Sequence, residues 1–276
     1  MNELRLIDTF SGIGGFSYAA EKLVGGFKTV AFVECEPYCQ KVLKKHWPEV
    51  PIYDDIKTYK PEPLSGDVLV AGFPCVDISF AGKQAGITKE TRSGLFYEII
   101  RLIRLVSPRF IVLENVAAII NNGLGIVLGE LASARYDCEW CCIPASALGA
   151  CHERDRFWLV ASDSEYFGLS GTKEAKSNEQ ISKTKTREEI TVKSQGSSQS
   201  LFGENFSRIT RKWESTPSML NPNWRRYESK CVIRRRDDGV SNRMERIKCL
   251  GNSVVPQVAA IPLQRVLDLE KLTVST

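Results

Sequence analysis

The sequence predicts an α/β fold, in which a β-sheet carries helices on both faces. Strand-like and helix-like patterns alternate along most of the chain, and 43% of its 276 residues are hydrophobic, enough for one core and a small appendage. The longest apolar stretches are interrupted by charges, and residues 1–5 lack the pattern of a signal peptide. We therefore expect a soluble, cytoplasmic protein that makes no membrane contact.

The predicted elements follow one another in a regular order. The predicted strands span residues 4–9, 29–33, 68–71, 110–113, 138–143 and 157–161. The predicted helices span residues 16–23, 38–46, 95–105, part of 125–133, and 254–269. The last of these follows a long segment of different composition and is expected to return to the main domain.

The middle of the chain has a composition of its own. Residues 170–200 are rich in Ser, Thr, Lys, Glu and Gln, which predicts a flexible linker or long loop. Between Arg208 and Lys248 there are twelve Lys or Arg residues and five acidic ones, although the whole chain has a net charge of only +4. With Trp213 and Trp224, this basic segment suits phosphate contacts and base stacking. A solvated charged surface is the alternative.

Two predicted strands end at residues that carry chemistry. The apolar run that begins at Asp67 ends at Phe73-Pro74-Cys75, and the run that begins at Phe110 ends at Glu114-Asn115. Folds of this class bind ligands beyond the carboxyl ends of their strands, so the thiol and the carboxyl group are expected at the same edge. A thiol and an acid that converge there indicate covalent catalysis.

A glycine-rich loop, residues 10–15, directly follows the first strand and opens a helix. At such a position bare backbone N–H groups can approach a cofactor closely. Glu34 ends the next strand, where a carboxylate can accept hydrogen bonds from both ribose hydroxyls of an adenosine cofactor. Asp55 could accept one from an exocyclic amine. Taken singly, each acid could instead be a surface carboxylate or a cap.

Five segments in this order resemble the cytosine-C5 DNA methyltransferase family. They are Asp8-Thr-Phe-Ser-Gly-Ile-Gly-Gly15, Gly72-Phe-Pro-Cys75, Glu114-Asn-Val116, His152-Glu-Arg-Asp-Arg156 and Gly251-Asn-Ser-Val-Val255. The resemblance covers roughly residues 4–162 and 239–270. It implies a Rossmann-like sheet of the kind found in methyltransferases that use S-adenosylmethionine (SAM), formed by residues 1–162 and 239–276. A small, partly irregular target-recognition region would occupy residues 163–238.

The resemblance also implies the cofactor and the residues that contact it. The cofactor is SAM, and no metal is expected. The implied contacts are Phe10, Gly12, Gly14, Glu34, Asp55, Ile56, Pro74, Leu95, Asn252 and Ser253.

The chemistry of cytosine explains the catalytic residue types. Carbon C5 is too poor a nucleophile to take a methyl group, so a thiolate, Cys75, must first add to C6. Glu114, which is followed by Asn115 in the same block, can protonate or hydrogen-bond N3. Arg156, and less directly Arg154, can stabilise the charge that develops at O2. The group that removes the C5 proton is left open, and water is one alternative.

The thiolate needs the face of the ring, so the target base must leave the duplex. Residues 76–93 form a long loop after Cys75, which we interpret as a lid over the flipped base, with an ordinary solvent loop as the alternative. The chain departs from the family at Val76, where Gln is usual, and at His152, the first position of the Gln-x-Arg-x-Arg pattern.

The nine cysteines do not have the even spacing of a disulfide scaffold, and a cytoplasmic location would keep them reduced. Cys138, Cys141, Cys142, Cys151 and His152 form a cluster in the sequence that could suggest zinc. However, a second Cys-x-x-Cys pair is missing, and a strand would point Cys138 and Cys141 to opposite faces. Buried structural cysteines are the preferred interpretation.

The sequence thus predicts a monomeric enzyme that acts on double-stranded DNA. In one of its conceivable biological settings, a cognate restriction endonuclease is its functional partner. An RNA cytosine methyltransferase on the same scaffold is the nearest alternative. An inactive nucleic-acid-binding module that retains the cofactor pocket is another. A Rossmann dehydrogenase fits less well, because the glycine spacing differs and hydride transfer requires no thiol.

Overall fold

The structure is a computed structural model, and it describes residues 3–74, 92–165 and 243–274. Its strands are β1 (Leu4–Thr9), β2 (Phe27–Val33), β3 (Ile52–Tyr53), β4 (Val68–Gly72), β5 (Phe110–Val116), β6 (Tyr136–Ile143) and β7 (Arg156–Asp163). Its α-helices are α1 (Gly15–Tyr18), α2 (Pro37–His46), α3 (Phe96–Val106), α4 (Ile119–Asn122), α5 (Leu124–Ser133), α6 (Arg243–Asn252) and α7 (Pro256–Val274). A π-helical turn (Ala19–Val24) continues α1, and 3₁₀ turns span Arg92–Leu95 and Ala145–Leu148.

The strands form one seven-stranded sheet in the order β3-β2-β1-β4-β5-β7-β6. Strands β1 to β5 run parallel to one another. Strand β7 lies between β5 and β6 and is antiparallel to both. The chain order reverses between β1 and β4, which makes the carboxyl end of this pair the switch point of the sheet. The glycine-rich loop follows β1 there, and Phe73-Pro74 follows β4.

Two cores flank the sheet because side chains alternate along each strand. Leu69 in β4 packs into the first core, which α3 and α5 cover. Its neighbours Val68 and Val70 pack into the second core, which is covered by the π-helical turn and α7. Phe96, the first residue of α3, is completely buried in the first core. Trp158 in β7 is buried in the second core. The predicted sheet with helices on both faces is confirmed.

The predicted strands and helices are all present, with bounds that differ by a few residues. Residues 19–24 wind as a π-helix instead of the predicted α-helix, and the last helix runs from 256 to 274 instead of 254 to 269. The sequence analysis did not predict β3, α4 or α6. The first two span two and four residues, too short for a periodic pattern, and α6 lies at the end of the basic segment, where four of its ten residues are charged.

Several predictions concern residues outside the described ranges. These residues are Cys75, nearly all of the proposed lid, and most of the proposed recognition region, including the linker at 170–200. The division into a catalytic domain and a recognition region therefore stays a prediction. Within the described ranges, every helix is too short or too polar to cross a membrane.

Candidate functional site

The glycine-rich loop has a backbone shape that depends on its residue types. Phe10, Gly12 and Gly14 all have positive φ angles, of 53°, 54° and 84°. A Cβ atom placed on Gly12 would meet nothing within 4 Å, whereas one on Gly14 would lie 2.6 Å from the ring of Trp47. The loop is thus packed against Trp47 at Gly14 and open at Gly12, which leaves room for a ligand beside the backbone.

Glu34 ties the ends of β1 and β2 together. Its buried carboxylate accepts a hydrogen bond from the Gly12 N–H at 2.7 Å and another from the Glu36 N–H at 2.8 Å. Each oxygen has a second lone pair that can accept a further donor. The side chain predicted to bind a ribose is therefore already oriented by the protein backbone.

Asp8, near the end of β1, is a buried acid that the sequence analysis did not single out. Its Oδ2 atom accepts a hydrogen bond from Ser17 Oγ at 2.7 Å, and Oδ1 has no hydrogen-bond partner among the described residues. Burial, reinforced by the nearby Glu34 carboxylate and opposed by the Ser17 hydrogen bonds, raises the pKa of Asp8 to about 7. This carboxyl group links β1 to α1 on the two sides of the glycine-rich loop.

Asp55 and Ile56 lie on the segment after β3. Asp55 is exposed, and its Oδ1 atom accepts the Lys57 N–H at 2.9 Å, while the Ile56 side chain is buried in the first core. Arg101 in α3 donates to the Ile56 carbonyl at 2.6 Å and to the Tyr59 carbonyl at 3.1 Å. A single guanidinium group therefore anchors this segment to the helix, and the sequence analysis did not identify it.

The turn after β4 is held by Asn115. The Asn115 side chain, which is buried, donates to the Phe73 carbonyl at 3.2 Å and accepts the Val116 N–H at 2.8 Å. The first hydrogen bond joins Phe73 to β5, and the second, within β5, orients the Asn115 amide. The predicted nucleophile Cys75 comes next in the chain and lies outside the described residues.

Glu114 lies beside the same turn. It pairs in register with Gly72, and a Cβ atom on Gly72 would lie 3.2 Å from Glu114 Oε2. Its Oε1 atom is 3.1 Å from Arg156 Nε at the start of β7. Burial raises the pKa of Glu114 to about 7, and the charges of Arg156 and Arg154 oppose the rise. The acid is thus poised to gain or lose a proton near neutral pH.

Arg154 connects β7 to the turn between α6 and α7. It has a φ angle of 40°, and its Nη2 atom donates to the carbonyls of Gly251 at 3.0 Å and Ser253 at 2.7 Å. A Cβ atom on Gly15 would lie 3.0 Å from Ser253 Oγ, so this turn packs directly on the glycine-rich loop. The glycine-rich loop, Ser253 and Arg154 thus meet at one edge of the sheet, with Asn252 exposed at the end of α6.

A cavity of about 790 Å³ lies on the packed side of the glycine-rich loop. Its lining includes Gly14, Tyr18, Trp47 and Leu250, together with Arg154 and Ser253. Glu34, Asp55, Pro74 and Leu95 do not line it. The cavity therefore adjoins the predicted cofactor site without coinciding with it.

The cysteine cluster of the sequence is divided between the two faces of the sheet. Cys138 and Cys142 pack against the first core and Cys141 against the second, which confirms the predicted alternation. Cys151 is exposed, as is His152, so the prediction of a buried structural role is wrong for Cys151. It begins an exposed stretch, residues 151–153, directly after Ala150, which still packs against the second core.

A model of the C-5 cytosine-specific DNA methylase family matches residues 4–247. The type II methyltransferase M.CviJI of Paramecium bursaria Chlorella virus IL3A is 32% identical over 165 residues, which cover 59% of this chain and 44% of that protein. M.MspI of Moraxella sp is 34% identical over 164 residues, covering 58% of this chain and 39% of that protein. The chain thus spans less than half of the length of these relatives.

One solved structure matches the chain over almost its whole length. It is assigned as a DNA modification methyltransferase encoded within a prophage of E. coli, and the match covers 98% of this chain and 100% of that one. The TM-score is 0.58 and the sequence identity 18%. At this sequence identity the likeness supports the overall fold alone, and it carries no information about individual site residues.

Proposed function

The chain belongs to the C-5 cytosine-specific DNA methylase family, and from this premise we propose that it transfers a methyl group from SAM to C5 of cytosine in duplex DNA. The relatives named as type II methyltransferases support the reaction class. Because the chain spans less than half of those proteins, the complete activity and its substrates are our inference. The described residues of the site make this reaction chemically reasonable.

The observation that carries the proposal is the ion pair of Arg156 with the largely buried Glu114, close to Gly72 at the end of the strand that precedes Phe73-Pro74-Cys75. Glu114 lies opposite Gly72, and Asn115 anchors the Phe73 carbonyl two residues before Cys75 in the chain. A buried acid with a pKa near 7 serves well as a proton donor at neutral pH.

Each residue then has a defined role in the proposed reaction. The Cys75 thiolate adds to C6 of the cytosine, and Glu114 donates a proton or hydrogen bond to N3 as electron density shifts there. Arg156 stabilises charge at O2, and Arg154 assists from the neighbouring position. Once C5 has taken the methyl group, its proton passes to a base that the sequence leaves open, with water as one alternative. The thiolate then leaves C6, and the ring regains its aromatic structure. Asn115 acts by positioning the backbone at Phe73, two residues before Cys75 in the chain.

The residues at the open side of the glycine-rich loop fit the adenosyl group of SAM. The free space beside Gly12 accommodates a ligand against the backbone, and Glu34 is oriented to accept hydrogen bonds from ribose hydroxyls. Asp55 would accept from the adenine amine, with Ser253 and Asn252 near the other end of the ligand. Phe10, Ile56, Pro74 and Leu95 would supply the apolar contacts. When bound, SAM supplies an electrophilic methyl group.

The proposed reaction also requires a base that has left the duplex, because the thiolate must reach the face of the ring. We assign base flipping and target recognition to residues 163–238 and to the loop after Cys75, on the basis of the sequence alone. The relatives named as type II methyltransferases make a cognate restriction endonuclease a reasonable functional partner. We further propose that the protein is a monomer and that it acts on DNA in the cytoplasm.

Covalent trapping tests this function. The chain is incubated with SAM and mixed-sequence duplex DNA that contains 5-fluorocytosine, in which fluorine cannot leave as a proton does. We expect a protein–DNA adduct that survives denaturing electrophoresis, and no adduct from Cys75→Ala, whose SAM binding should be unchanged. Bisulfite sequencing of ordinary DNA treated in parallel identifies the methylated site.

Two results would overturn the assignment. An adduct with fluorocytosine-containing RNA but none with DNA would make the chain an RNA methyltransferase. An adduct formed by the Cys75→Ala protein would rule out Cys75 as the nucleophile.

A further inference from the structure

Two buried cysteines far apart in the chain meet between α2 and α6. The Sγ atoms of Cys39 and Cys249 are 3.0 Å apart, although the residues are 210 positions apart in the sequence. Each side chain is only 4% exposed. Both are free thiols, and neither is among the residues of the two cores that flank the sheet.

The contact is the principal buried attachment of α6. From Glu245 to Asn252, Cys249 alone is buried and the other side chains are exposed. Beside it, Lys248 Nζ donates to Glu36 Oε2 at 2.6 Å, an ion pair that is itself largely accessible to water. Among the described residues, the sulfur–sulfur contact and this surface ion pair hold α6 to α2. Arg154 holds the last turn of α6 through the Gly251 carbonyl.

We propose that Cys39 and Cys249 form a redox-active thiol pair, which a peroxide closes into a disulfide between α2 and α6. The separation of 3.0 Å must shorten by about 1 Å to reach a disulfide bond length. Because α6 buries so little, a movement of this size requires few contacts to break. Internal disulfides of proteins in reducing compartments are usually transient and redox-sensing, in keeping with such a pair.

The chemistry is balanced with hydrogen peroxide as the oxidant. One sulfur attacks a peroxide oxygen, the O–O bond breaks, and a sulfenic acid and one water are formed. The second sulfur then attacks the first, the S–O bond breaks, and the oxygen leaves as a second water. Two thiols lose two protons and two electrons in all.

The surroundings of the pair set the rate of the reaction. Burial and the contact with Cys249 raise the pKa of Cys39, and Glu34 and Glu36 raise it further. Since the thiolate is the reactive form, the closed pair is protected from oxidants. Oxidation should therefore follow opening of α6 and be slower than oxidation of the exposed Cys151.

The disulfide would join two segments of the candidate site. Helix α2 begins three residues after Glu34, and α6 ends at Asn252, directly before Ser253. A covalent link would hold these two segments together against thermal opening. The proposal itself concerns the thiol pair and is independent of the proposed methyl transfer.

Peptide mapping after peroxide treatment tests the pair in the full chain. The reduced protein is exposed to hydrogen peroxide for at least ten times as long as full modification of Cys151 requires. The remaining thiols are then alkylated in denaturant, and the chain is digested with trypsin. We expect the peptide 29–41 to be linked to the peptide 249–265, and the link to disappear after reduction. The linked form should also unfold at a higher temperature than the reduced form.

Cys35 provides a matched control, because it shares the peptide 29–41 and is exposed. Cys35→Ser should retain the link, and Cys39→Ser should lose it. The Cys35→Ser protein decides the question even if Cys39→Ser fails to fold. Absence of the link in Cys35→Ser after this prolonged exposure would refute the pair, as would its persistence in folded Cys39→Ser.

Discussion

Burial gives two carboxyl groups, Asp8 and Glu114, pKa values near 7, but their surroundings differ. Asp8 has hydroxyl and backbone N–H donors from Ser17, whereas Glu114 faces the guanidinium group of Arg156. A neutral Asp8 can remain inside the protein as a purely structural group. Glu114, beside the turn into Cys75, is the one with a partner that can stabilise charge during a reaction.

The first prediction concerns the pH dependence of stability and Asp8. An acid whose pKa rises on folding binds more protons in the native state, so stability is lost as pH rises from about 4 to about 7. Asp8→Asn keeps an acceptor for Ser17 and removes the ionisation. We expect its free energy of unfolding, relative to the wild type, to increase by on the order of 3 kcal/mol between pH 4 and pH 8.

Urea unfolding at several pH values measures this difference. Asp137→Asn, which alters an exposed aspartate in β6, serves as the control and should run parallel to the wild type. A constant offset between Asp8→Asn and the wild type across the range would mean that Asp8 is ionised in the native state.

The second prediction separates catalysis from binding at Glu114. Glu114→Gln keeps the size of the side chain but cannot donate a proton, so kcat should fall by about 10²–10⁴-fold. The affinity for DNA should change far less, because the interaction strengthens only as the ring is activated. Single-turnover kinetics and equilibrium DNA binding measure the two effects. Equal losses in rate and affinity would contradict the role of a proton donor.

At the scale of elements, the glycine-rich loop depends on the packing of α2 beneath it. The ring of Trp47, which follows α2, occupies the space that a side chain at Gly14 would need. Trp47 Nε1 in turn donates to Glu21 Oε2 at 2.9 Å, and Glu21 Oε1 accepts the Thr29 N–H. The loop is thus positioned by α2, by the π-helical turn and by β2 together.

The third prediction tests this packing. Gly14→Ala introduces both an unfavourable positive φ and a contact with Trp47, and it should destabilise the chain by at least about 2 kcal/mol. Gly129→Ala in α5 is the matched control. Its Cβ atom meets nothing, so helix propensity should stabilise the protein by about 0.5–1 kcal/mol. Chemical denaturation compares them, and similar values for both variants would contradict the packing argument.

The fourth prediction concerns Arg101, which ties α3 to the segment after β3. Arg101→Ala leaves the Ile56 and Tyr59 carbonyls without this donor, and the loss should cost about 1–3 kcal/mol of stability. Because Asp55 lies on the same segment, the dissociation constant of SAM should rise about tenfold, equivalent to about 1.4 kcal/mol.

Isothermal titration calorimetry with SAM measures this effect. Arg104→Ala, one turn along α3, removes only an exposed ion pair with Glu130 and should bind SAM as the wild type does. Equal affinities of the Arg101→Ala protein and the wild type would show that the segment keeps its position without this anchor.

At the scale of the whole molecule, the described sheet collects the candidate site at one edge, and the basic segment lies elsewhere in the chain. Catalysis and DNA affinity are therefore expected to depend on separate parts of the sequence. A loss of phosphate contacts should weaken binding without altering the cofactor site.

The fifth prediction tests that separation with the run Arg234-Arg235-Arg236. Replacing all three with Ala should weaken DNA binding and reduce the slope of log K against log salt by up to about 3, while SAM affinity is unchanged. The charge-matched control replaces Lys41, Lys44 and Lys45, all exposed on α2. An unchanged slope in the arginine variant would assign the DNA surface to another part of the chain.

The sequence by itself was sufficient for six of the seven strands and for the chemical types at one edge of the sheet. Apolar runs predicted these strands, because burial on one or both faces of a sheet gives a strand an alternating or continuous apolar pattern. The positions of Glu34 and Pro74 after their strands followed from the same pattern, whereas Glu114, which was predicted to follow its strand, lies within β5. The family resemblance added the expected roles, and the family match supports it.

Only the tertiary structure decided which distant groups meet. The anchoring of Ile56 by Arg101, the hold of Asn115 on Phe73, and the approach of Cys39 to Cys249 join residues 42 to 210 positions apart. The pKa shifts of Asp8 and Glu114 likewise arise from burial by several elements at once. Periodicity records which face of an element is buried, whereas the partner across a contact depends on how the elements pack, and no local pattern encodes it.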